Sequence, residues 1–247
     1  MPESFALVRL LNALFMGVEI KAFQSIGLIP AEAAQQAVKV NQALGLELLV
    51  AGGLIAFFVL VRLTLSVEKP NPAQQIAEVV HEGVGGLADQ IIGHGYVRFQ
   101  AFVTCIFLFV LINNLLGLIP GFAAPTTSPF VPLGLALPTF LYYNYQGFRE
   151  QGPIGYLKQI AGPIWWMAWL ILPIEMVSHF ARILSLTIRL YANMFASDMV
   201  TLGFFSLVPV GVPVIFLGLH IFVSIIQAFV FTLLSMIYLS LAVSHEH

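Results

Sequence analysis

The amino-acid sequence predicts an all-α integral membrane protein. It is polytopic, with about five membrane helices including a long, strongly tilted C-terminal helical hairpin, plus one interfacial amphipathic helix. Three observations lead there. Hydrophobic residues make up 59% of the 247 and charged residues only 9%, whereas soluble domains carry about 25% charged residues. Mean hydropathy is +0.93, and the apolar residues gather in runs long enough to cross a bilayer. The last two runs, 164–199 and 212–243, outlast the about 20 residues that a span needs.

Composition narrows the function classes. A net charge of −2 suggests no nucleic-acid partner. The single cysteine, Cys105, lies in an apolar run, so no disulfide framework is expected and it reads as a small buried hydrophobe. The stretch 10–18 is short, is broken by Asn12 and leads into Glu19 and Lys21, so no signal peptide is read there. No internal repeat is evident, and the chain reads as one polytopic domain, 46–247, preceded by an amphipathic segment, 1–45.

In chain order, 47–67 has charges only at its ends and fits a first span, with Arg62 able to snorkel. The polar stretch that follows opens on Pro70 and Pro72. Its Ile76, Val79, Val80, Val84, Leu87, Ile91 and Ile92 form one apolar face, which predicts an interfacial helix. His81 and His94 stand alone here, and no metal role is read for either. Residues 99–119 form a second span with Asn113 and Asn114 near its end, closed by Pro120-Gly121. The third span, 130–147, is short and interrupted by Pro132 and Pro138, after which 149–163 returns to an aqueous face. Lys69, Arg98, Arg149 and Lys158 flank two loops of one side, while the loop 120–129 has no charge. The positive-inside rule then puts the charged loops in the cytoplasm and the N-terminus outside.

The final third is helix-compatible over 164–199 and 212–243, with Pro173 inside the first run and Pro209 and Pro213 at the turn. A helix of the second length is about 48 Å long, well beyond a hydrocarbon core of about 30 Å, so strong tilt is expected. Within the first run, Glu175, Ser178, Arg182, Ser185, Arg189 and Asn193 recur at helical spacing and make a single polar stripe, with His179 and Asp198 in the same stretch. An arginine in hydrocarbon costs from roughly 2.5 to more than 10 kcal/mol, so it must face protein, a partner or water. On the second run His220, Ser224 and Gln227, and further on Tyr238, form a stripe able to face the first. The bland alternatives are a structural ion pair of Arg189 with Glu175 or Asp198, and Ser224 or Gln227 as hydrogen-bonding glue between helices. Arginine does not release its proton at useful pH, so Arg189 is a fixed charge; Glu175, Asp198 and His220 are the groups able to pass protons.

The segments SLTIRLYANMFASDMV, HIFVSIIQAFVFTLLSMIYLS, NLLGLIPG and SHEH resemble subunit a of bacterial F-type ATP synthases, over residue 46 to the end. The motif is Ser185-x3-Arg189-x3-Asn193-x4-Asp198, then His220-x6-Gln227-x10-Tyr238. The resemblance implies that Arg189 faces the carboxylates of a rotor ring of c subunits, with Asn193 beside it. It places Asp198, His220 and Gln227 along a half-channel from the outer side, Glu175 and Ser178 near one to the cytoplasm, and Asn114 as the asparagine of the NLLGL turn. It implies a non-catalytic proton-translocating stator subunit in the bacterial inner membrane, in contact with lipid, with the ring and with the b subunits of the peripheral stalk, and with no cofactor or metal. Tyr191 and Ala192 stand where many members have Phe and Gly, and Asp198 where many have Glu. Ser128 and Phe130 replace the usual polar pair of the outer loop, which is therefore expected to contribute less to the outer entrance. Two other classes fit less well. A secondary transporter would show inverted repeats, and an intramembrane hydrolase would show His-Glu-x-x-His or Gly-x-Ser-x-Gly. The terminal His245-Glu246-His247 reads as a solvated tail.

Overall fold

Every element among the described residues is helical, as the apolar runs require once lipid denies the backbone any partner but itself. The computed structural model describes residues 42–66, 69–93, 95–119, 124–161, 168–207 and 212–243. The expected N-terminal amphipathic segment lies almost wholly outside them, as do His94, Pro120-Gly121, Pro209 and the His245-Glu246-His247 tail.

Helix α1 is Gln42–Leu63, 22 residues or about 33 Å, enough for a hydrocarbon core of about 30 Å. Leu46, Val50, Leu54 and Val61 point inward at helical spacing, while Ile55, Leu60 and Leu63 stay exposed. Helix α2, Pro72–Ile92, starts with proline at a position that needs no N–H, and ends on Gly93, whose φ of 75° favours glycine. Its Val84 and Ala88 are buried and Glu78, Glu82 and Asp89 are exposed, but Ile76 and Val79 of the expected apolar face remain uncovered. Helix α3, Val97–Leu115, buries Phe99, Val103, Ile106, Val110 and Asn114 along one stripe and continues into a 3-10 turn, Leu116–Leu118. Cys105 lies off that stripe and is exposed, contrary to its reading as a buried residue.

The third span departs most from expectation. Helix α4 runs over Phe130–Ala161 through both prolines, and its break falls instead at Gly152, with φ 73° and ψ 164°. Pro132 sits in the first turn, where amide hydrogens have no intrahelical acceptor anyway. Glycine is required at the bend because other residues rarely adopt that φ. Beyond it the chain returns onto itself: Tyr156 Oη donates to Asn144 Oδ1 at 2.8 Å, and a Cβ on Gly147 would stand 2.5 Å from the Tyr156 ring. Arg98 and Glu150 form an ion pair that ties the two charged loops to one end of the bundle.

Helices α5, Ala168–Leu207, and α6, Val212–Val243, are about 60 and 48 Å long. α5 is unbroken through Pro173, and Pro213 lies in the first turn of α6. Among the described residues four helices, α1, α3, α5 and α6, are long and apolar enough to cross a membrane; α4 is long enough but less apolar. The principal core joins Ile106 and Val110 of α3, Ala136 of α4, Leu186, Leu190 and Met194 of α5, and Ala228 and Phe231 of α6. Most large side chains on the far flanks of α5 and α6 are exposed, among them Val177, Phe180, Phe205, Ile215 and Phe222.

Candidate functional site

Antiparallel packing of α5 on α6 brings the two polar stripes face to face. The Asn193 amide donates to Gln227 Oε1 at 2.7 Å, and further along the Arg182 guanidinium lies over the Tyr238 ring, 5.3 Å from its centroid. Those two pairs fix the register, so Arg189 stands level with Phe231, in the most apolar part of the pair. The remaining polar residues divide into two clusters, one toward each end. Glu175 and Asp198 are about 35 Å apart along α5, slightly more than the thickness of a hydrocarbon core.

The first cluster centres on His220, which is 2% exposed. Its Nε2 faces the backbone carbonyl of Asn114 at 3.3 Å. A carbonyl only accepts, so Nε2 carries a proton, and Nδ1 lies 2.9 Å from Ser197 Oγ, from which it accepts when the ring is neutral. Asp198 Oδ1 lies 3.5 Å from the same Nδ1, so a second proton on the ring would point at a carboxylate. Asn114, fully buried, is held from two sides: Thr126 Oγ1 donates to its Oδ1 at 2.8 Å and its Nδ2 reaches the Ser224 carbonyl at 3.4 Å. The loop between α3 and α4 thus contributes through Thr126, and the Ala124 N–H faces Asp198, although Ser128 and Phe130 carry no charge. The Ser224 hydroxyl and Gln227 Nε2 are buried without a partner. A cavity of about 430 Å³ opens between α5 and α6 beside them, polar only at Asn193, Ser197, Thr201 and Gln227.

The second cluster gathers around Glu175. Arg182 Nη2 lies 3.2 Å from Glu175 Oε1, and His179 Nε2 lies 3.8 Å from the same oxygen. From α4, the Tyr143 hydroxyl meets His179 Nδ1 at 3.3 Å, with the two rings stacked. These four side chains and Tyr156 line a cavity of about 150 Å³, closed by Leu241 and Ala242 of α6. Ser178 is half-buried immediately before His179.

Arg189 belongs to neither cluster. Its Nη2 contacts Ser185 Oγ at 3.3 Å, and among the described residues no carboxylate pairs with it. The alternative of a structural ion pair with Glu175 or Asp198 is not met among the described residues: those acids lie 14 and 9 residues away on the same helix, about 21 and 14 Å along its axis. The guanidinium is half-exposed on a flank where Ala181, Ser185, Ala192 and Ala196 are also exposed. Such small residues let another helix approach closely. Among the described residues no His, Cys, Asp and Glu set fit for a metal occurs.

Reading the sequence located Asn114, Glu175, Ser178, Ser185, Arg189, Asn193, Asp198, His220, Gln227 and Tyr238, but not Thr126, Tyr143, Tyr156 or Ser197, and it gave His179 no role. The one signal for His179 was its place four residues after Glu175, on the same helical face.

Comparison with known proteins identifies the family. Residues 45–240 match the family model described as ATP synthase A chain. A protein named ATP synthase subunit a from Koribacter versatilis is 52% identical over 208 residues, covering 84% of this chain and 85% of that one. One of the same name from Solibacter usitatus is 46% identical over 202 residues, covering 82% and 87%. Another, from Sulfurimonas denitrificans, is 38% identical over 201 residues, covering 81% and 90%.

Proposed function

The chain belongs to the ATP synthase A chain family, subunit a of that enzyme's membrane sector, and from that premise we propose that it is the proton-conducting stator, with two half-channels meeting at Arg189. Protons enter from outside by way of Asp198, His220, Asn114, Gln227 and Asn193 and neutralise a carboxylate on a ring of c subunits. After nearly a full turn the same carboxylate meets the path near Glu175 and Ser178 and gives up its proton beside Arg189. A unit charge falling through 100 mV gains about 2.3 kcal/mol, and offset entry and exit paths turn that gain into rotation. The chain itself performs no bond chemistry.

The observation that carries this reading is the Arg189 guanidinium. It is a permanent cation level with apolar residues, half-exposed, with only a serine as hydrogen-bond partner among the described residues. A rotor carboxylate is the partner that fits it. Separation of the polar clusters by about 35 Å supports two offset paths, and helices of about 60 and 48 Å fit a membrane only when steeply tilted along a partner. The same reading puts the protein in a bacterial inner membrane, N-terminus outside and C-terminus cytoplasmic, beside lipid and the b subunits. Arg189→Ala should abolish proton-driven ATP synthesis in membrane vesicles while the complex still assembles. Normal synthesis by that variant would overturn the reading.

A further inference from the structure

His179 takes no part in that mechanism, yet it is a titratable side chain only 8% exposed, in contact with a carboxylate on one edge and a cavity on another. The groups facing it are Glu175 and Arg182 from α5, Tyr143 and Tyr156 from α4, and Tyr238 from α6 through its ring contact with Arg182. Phe140 meets the imidazole edge-on. The cavity of about 150 Å³ exceeds what a single water needs.

We propose that His179 is a further proton carrier on the release path. It takes the proton from Glu175 and hands it to water in this cavity, while Tyr143 holds the ring in the required tautomer. The inference rests on the stator reading above and adds a residue to its exit. In the resting state Nδ1–H donates to Tyr143 Oη, and the Nε2 lone pair faces Glu175. A proton on the Glu175 carboxyl crosses to Nε2: the O–H bond breaks, an N–H bond forms, and a carboxylate and an imidazolium remain. Arg182, 3.2 Å from that carboxylate, stabilises the product and keeps its own proton throughout. The imidazolium then releases the same Nε2 proton to water, forming hydronium and restoring the starting ring. Uptake and release at one nitrogen require no ring flip. The 3.8 Å separation from Glu175 closes by rotation of the carboxylate or by one bridging water.

The test uses the intact synthase in membrane vesicles, with ATP synthesis followed from about pH 5 to about pH 8, the range in which imidazole titrates. His179→Gln retains polar contacts but takes up no proton. Synthesis should fall roughly tenfold, less than the about 10² to 10⁴ of a sole acid–base catalyst because cavity water offers a parallel route. The imidazole ionisation should also vanish from the pH profile. In assembled His179→Gly complexes, added imidazole should restore the rate, whereas pyrazole, of the same shape but a far weaker base, should not. An unchanged rate and pH profile in H179Q, or equal rescue by pyrazole, overturns the relay. Arg189→Ala in the same vesicles separates the two readings: its failure beside an unaltered H179Q removes the relay alone, and normal synthesis by R189A removes both.

Discussion

At one end of the α5–α6 pair His220 is held by a backbone carbonyl, a serine and an aspartate; at the other, His179 is held by a tyrosine and a glutamate that Arg182 also grips. The His220 cluster contains no fixed cation, and the cavity beside it holds about 430 Å³. The Glu175 cluster has a fixed cation within it and a cavity of about 150 Å³. A carboxylate–histidine pair without a permanent charge can hold or lose a proton as its surroundings demand. A carboxylate gripped by a guanidinium is favoured as an anion by simple attraction. The first arrangement suits delivery of protons to a partner and the second suits their removal, so the asymmetry of the clusters supports a directional path.

Breaking the larger cluster should have the largest effect. His220→Leu removes the side chain that joins Asn114, Ser197 and Asp198, and ATP synthesis should fall about 100-fold, in line with loss of a general acid–base group. A fall no greater than that of Arg182→Gln would erase the distinction between the clusters. Gly117→Ala crowds the same cluster without removing a titratable group. Its Cβ would stand 2.9 Å from Ala124 Cβ and 3.2 Å from His220 Nε2, a crowding that costs about 1–3 kcal/mol. Synthesis should drop roughly tenfold while the Glu175 cluster, probed by the pH profile of the rate, stays as it was.

Arg182→Gln tests the opposite end. The pair with Glu175 is partly solvated, so its loss should cost about 1 kcal/mol, or about fivefold in rate. Arg182→Lys should recover part of that, since the charge returns but the planar stacking on Tyr238 does not. The smallest effect is expected from Thr126→Val, which leaves Asn114 Oδ1 buried without its donor. The solubilised complex should lose about 1 kcal/mol of stability, measured by heat inactivation, with synthesis changed less than about twofold.

The division into clusters was only half legible in the chain. Steps of three and four residues revealed both polar stripes, because that period is a property of one helix alone. Which residue meets which across the pair is set by packing and by the turn, so Asn193 on Gln227 and Arg182 on Tyr238 could not be read. Tyr143, Tyr156 and Thr126 carry no periodic signal, since a lone hydroxyl in an apolar stretch looks the same whether it binds a histidine or its own backbone, as Thr139 does. Local rules put breaks of the third span at Pro132 and Pro138, whereas the structure puts the break at Gly152, and that bend is what carries Tyr156 into the Glu175 cluster.

The register of α5 on α6 also constrains how such a chain can change in length. One residue inserted between Gln227 and Tyr238 turns everything beyond it by about 100° and swings the tyrosine ring away from Arg182, yet leaves Gln227 under Asn193. The hairpin can lengthen freely at its closed end, and elsewhere only by additions that keep step in both arms. Lineages of this protein should therefore collect their insertions and deletions between the two helices and in the loops, while the arms keep a constant count from Glu175 to Asp198 and from His220 to Tyr238.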